Sequence, residues 1–173
     1  MAAVQRIADA LGALPDTPDM GEIISRARDL DATCAQLDAQ IGLNVDAPEP
    51  LSPAQWGALA REAGLLERGS HRYVKSGPQG EVVFTMSAAD PANRVSFLLD
   101  VPRSDRHLDG WSGMLACAQH IAASVNGRVV DDGGRQIPAE ALATISRQLS
   151  QRYESLAAIG VPAGSPLAMR VFN

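Results

Sequence analysis

The chain of 173 residues is 46% hydrophobic and 20% charged, ordinary globular usage that excludes wholesale disorder and suits one domain with a core plus a helical extension. Aromatics make up only 4%, so aliphatic side chains must fill that core. A net charge of -5 argues against nucleic acid as a partner, because phosphate binding relies on clustered Lys and Arg. The two cysteines, Cys34 and Cys117, make neither a disulfide framework nor a four-ligand zinc set. Arg6 and Asp9 interrupt the apolar opening, which argues against a signal peptide, and no apolar run is long enough to span a bilayer. Any membrane anchor is expected to lie outside this chain.

Val4, Ile7, Ala8 and Leu11 fall at helical spacing, and Leu14 to Pro18 breaks the pattern. Ile23, Ile24, Ala27 and Leu30 restart it, so residues 1–37 read as a helical arm. The compact domain, residues 38–160, opens with a strand in which Ile41, Leu43 and Val45 alternate with Gly42 and Asn44. A helix follows with a complete start signal. Ser52 caps it, Pro53 takes the first helical position, Gln55 closes a capping box, and Leu51 with Trp56 makes a hydrophobic staple. Gly64 ends it.

Three strands come next, near His71–Lys75, Val82–Ser87 and Val95–Val101, separated by turns at Ser76–Gly80 and Asp90–Asn93. Their alternation describes a sheet covered on one face and at least partly open on the other, the habit of antiparallel sheets. A helix from Trp111 to Asn126 carries an apolar stripe through Met114, Ala118, Ile121 and Val125. Asp132-Gly133-Gly134 reads as a hairpin turn, and Pro138 opens a long helix ended by Gly160. Leu167, Met169 and Val171 alternate in the tail, residues 161–173, which fits an edge strand or a loose end. The order strand, helix, three strands, helix, hairpin, helix predicts an α+β split β-α-β domain, with helices packed on one face of a mainly antiparallel sheet.

Catalytic signatures are missing. The glycines from Gly127 to Gly134 fit neither phosphate-binding spacing. Asp131-Asp132 reads as a solvated turn rather than a cation loop. Cys117 and His120 lie one helical turn apart without further ligands and read as a core thiol beside a flank residue. No serine sits in a nucleophile elbow. The expectation is a protein that is not an enzyme and takes no cofactor or metal. RNA-recognition domains share the split β-α-β order, but their base-stacking aromatics have no counterpart at Thr85, Ser87, Ser96 and Leu98.

The run Met114-Leu115-Ala116-Cys117-Ala118-Gln119-His120-Ile121-Ala122, followed by Gly127-Arg128-Val129-Val130-Asp131-Asp132 and Arg135, resembles the C-terminal domain of the ZipA family. Ala63-Gly64-Leu65, Val83-Phe84-Thr85 and Phe97-Leu98-Leu99-Asp100-Val101-Pro102 fall in matching order upstream. The resemblance covers roughly residues 40–150. It implies three helices on one face of a six-stranded sheet and a non-catalytic role in bacterial cell division. It also implies that the C-terminal peptide of FtsZ is the partner, bound on the open face and tethered to the inner membrane at the division site. The family's groove positions map onto Val45, Ser70, Arg72, Ala89 and Leu98, with Thr85, Ser87 and Ser96 between them. Ser70, Arg72 and Ala89 are less apolar than the pattern requires, and Arg72 and Lys75 are placed to pair with acidic residues of the tail. The alternative is a structural or self-association module that keeps the fold without the groove.

Overall fold

A computed structural model describes residues 2–12 and 19–172. Two compact units are distinguishable, Met1–Gln36 and Leu37–Asn173. In the first, α1 (Ala2–Leu11) and α2 (Met20–Leu37) are both helical. Asp19 Oδ1 starts α2 by accepting from the backbone N–H of Gly21 at 2.6 Å and of Glu22 at 3.3 Å, the work of an N-cap carboxylate. The predicted break at Leu14–Pro18 lies outside the described residues.

The second unit is a six-stranded antiparallel sheet in the order β2-β3-β4-β5-β1-β6. Its strands are β1 (Gln40–Asp46), β2 (Leu66–Glu67), β3 (Arg72–Ser76), β4 (Val82–Ala88), β5 (Arg94–Asp100) and β6 (Arg128–Val130). Three main helices, α3 (Pro53–Glu62), α4 (Gly110–Ser124) and α5 (Ala139–Ala158), contribute to one core with one face of that sheet. The α+β architecture expected from the sequence is therefore the one observed.

Strand parity decides what the helices cover. Leu43 pairs with Phe97 and Val45 with Val95 across β1 and β5, and Met86 of β4 pairs with Phe97. These five side chains are at most 1% exposed and pack with Trp56, Ala60, Met114, Ala118 and Ile121. Burying a side chain of this size is worth about 1.5–3 kcal/mol, so this layer contributes strongly to the drive to fold. The capping box read from Ser52 and Gln55 is present, with Ser52 N–H donating to Gln55 Oε1 at 2.8 Å.

Two glycines permit close approach. A Cβ at Gly110, the first residue of α4, would stand 2.9 Å from Leu99 Cδ1, so the bare backbone lets α4 settle onto the sheet. A Cβ at Gly127 would clash with the Asp46 carbonyl oxygen, where β6 comes alongside β1.

The tail departs from the strand expectation. It turns through Val161–Ser165 and ends in α6 (Ala168–Val171). The alternating Leu167, Met169 and Val171 are all more than 40% exposed, whereas the buried pair is Ala168 and Phe172, one helical turn apart. The buried residues, not the most apolar ones, reveal the period. The two-residue β2 was also absent from the strands read off the sequence, being too short to show any period.

Candidate functional site

The sheet face away from α3, α4 and α5 carries Gly42, Asn44 and Asp46 of β1, Arg94, Ser96, Leu98 and Asp100 of β5, and Thr85 and Ser87 of β4. Arg72 of β3 lies opposite Ser87. This surface divides into two parts of different chemistry.

The first part is an internally satisfied polar network. Arg94 grips Asp46 with both arms of its guanidinium, Nε donating to Oδ1 at 2.6 Å and Nη2 to Oδ2 at 2.9 Å. Asp46 is the main reason the Arg94 pKa is raised. Asn44 Nδ2 donates to Asp132 Oδ1 at 2.9 Å, and Ser96 Oγ donates to Asn44 Oδ1 at 2.5 Å. The Asp131–Gly134 turn is thereby pinned over β1, which gives Asp132 a structural role beyond a solvated bend. Asp131 holds the turn itself. It accepts from the Arg135 backbone N–H at 2.9 Å, and that bond is the first cause of its lowered pKa. With its donors and acceptors engaged, this half offers little to a ligand.

The second part is a furrow of about 460 Å³ lined by Arg72, Val82, Thr85, Leu98, Arg103 and Met169, among others. Leu98 is 40% exposed and pairs with Thr85 on one side and Gly42 on the other. Gly42 has no side chain to cover it. Val82, half exposed, would share a face with Phe84 in a regular strand. The register shifts at Lys75/Ser76, and such a bulge re-aims the side chains beside it. Asp100 lines the same furrow; burial pushes its pKa up, partly offset by the Arg103 backbone N–H donating to Oδ1 at 3.3 Å.

The eight groove positions expected from the sequence are not brought together as a set. Arg72, Thr85 and Leu98 line the furrow. Ser87 and Ser96 sit farther along the open face, opposite one another, with Ser96 committed to Asn44. Ala89 follows β4 and donates its backbone N–H to Arg94 O at 3.1 Å, and Ser70 stands exposed in the turn before β3 at φ 51°. Val45 is a correction. Its parity with Leu43 places it on the helix-covered face at 0% exposure, packed in the core and closed to any partner. Lys75 pairs with Phe84 on that same face, and its Nζ lies 3.4 Å from a Cβ built at Gly64, so it does not serve the furrow.

Val82, Asp100, Arg103 and Met169 were missed. Asp100 followed from the parity of Leu98, but the bulge that turns Val82 and the fold-back that delivers Met169 leave no local trace. The Cys117 thiol is pushed up to about 11, chiefly by burial, as expected of an inert core thiol. Among the described residues no group of three or more His, Cys, Asp or Glu is arranged to hold a metal ion.

The chain is thus an α+β domain with helices on one face of an antiparallel sheet and a furrow on the other. The chain belongs to the family of ZipA C-terminal FtsZ-binding domains, which it matches over residues 41–148. No curated protein matches the chain in sequence.

Proposed function

We propose that the chain binds the C-terminal tail of FtsZ in the furrow bounded by β3, β4, β5 and α6, and so helps to tether and stabilise the division ring at the inner membrane. The exposed Leu98 carries this reading. It lines the furrow together with the apolar Val82 and Met169 and with Arg72 and Arg103. Burial of apolar side chains from the tail supplies affinity. No described helix is long and apolar enough to cross a bilayer.

The test is fluorescence anisotropy of a labelled FtsZ tail peptide titrated with the chain. Binding in the micromolar range is expected, weakened at least tenfold by Leu98→Asp, because a carboxylate there must be desolvated without a partner. A flat titration of the wild type at high protein concentration rejects the assignment of the tail to this furrow.

A further inference from the structure

The matched family region ends at residue 148, yet one wall of the furrow comes from the segment after Gly160. We propose that this C-terminal strap, Val161–Phe172, is a fixed part of the binding site, and that Met169 is a specificity-determining contact for an apolar side chain of the bound tail. The inference rests on the furrow reading above.

The strap is anchored. Val161, Ala168 and Phe172 are 3%, 0% and 8% exposed. The Gly164 N–H donates to Pro102 O at 2.9 Å. At Gly164, where φ is 73°, a Cβ would stand 2.7 Å from the Asp105 backbone, so only glycine lets the strap lie this close to the end of β5. Ser165 Oγ accepts the Ala168 N–H at 3.1 Å and starts α6. These restraints hold Met169 at the furrow while leaving it 43% exposed.

The chemistry fits a contact wall. The open face is polar along Ser87, Ser96 and Asn44, so Leu98 alone offers a tail little apolar area. Met169 from the strap and Val82 at the bulged start of β4 restore that area. An unbranched thioether adapts to the shape of its partner, which suits an apolar side chain of uncertain rotamer.

The full chain is labelled with ¹³C-methyl methionine and titrated with FtsZ tail peptide, while anisotropy is measured in parallel for Met169→Ala and Met169→Leu. The Met169 methyl resonance is expected to shift at saturation, while those of Met86 and Met114, both 0% exposed in the core, stay in place. Met169→Ala is expected to weaken binding about tenfold and Met169→Leu less than about threefold, with unchanged circular dichroism. Wild-type binding with a silent Met169 methyl and an unaffected alanine variant overturns the strap proposal alone. Tighter binding by Met169→Ala overturns it too, since the strap would then act as a lid. A wild-type chain that does not bind overturns the furrow reading, and the strap proposal with it.

Discussion

Asp100 shows how one side chain couples the furrow to solution conditions. Burial raises its folded pKa above the ordinary carboxylate value, so the fold prefers the protonated acid. The stability it contributes is present below the unfolded pKa and is lost as pH rises through the raised folded value. Asp100→Asn keeps an acceptor for the Arg103 N–H and removes the ionisation. Its melting temperature is expected to exceed wild type at pH 7, the gain vanishing below roughly pH 3.9, where both chains are uncharged at this position. Thermal melts across that range check this, and a gain independent of pH contradicts it. Leu98 marks the limit of reading single residues. Its exposure followed from alternation alone, whereas Val45, equally apolar on the neighbouring strand, belongs to the core because β1 pairs Val45 with Val95 and not with Leu98.

Elements with their own local signals were legible. The start of α3 was spelled out by Ser52, Pro53 and Gln55, and α4 by its apolar stripe. The covered and open faces of β4 and β5 followed from a period of two. Features set by a neighbour were not: the bulge opposite Lys75/Ser76, the two-residue β2, and α6, which is held by burial of Ala168 and Phe172. At Gly127 a recognisable motif acquires a physical reason. The residue ends the turn after α4 with its N–H donating to Ala122 O at 2.7 Å, and no side chain fits against the Asp46 carbonyl. Gly127→Ala must push β6 from β1 and disturb the turn that carries Asp132. A loss of about 3 kcal/mol is expected in urea unfolding, against less than about 1 kcal/mol for Ala at the exposed Gly133.

At the scale of the molecule, the central core draws on residues from Ala39 to Ala163. A fragment of residues 37–173 is therefore expected to unfold in one cooperative transition, and a broad, non-cooperative melt of that fragment contradicts the assignment of the core. The arm has a different surface, with Val4, Ile7 and Leu11 48%, 62% and 76% exposed along one side of α1. The two margins of the sheet carry a further consequence. One ends in β2, two residues long and flanked by Arg68, and the other in β6, three residues long and bridged to Gln136 by Val130. Strands this short give an incoming chain only a brief ladder of their own, the device by which many domains enrol a guest as an extra strand. On the furrow reading proposed above, a guest lies across the plane and is read through its side chains, so the spacing of its greasy residues matters more than whether its own backbone arrives coiled or stretched.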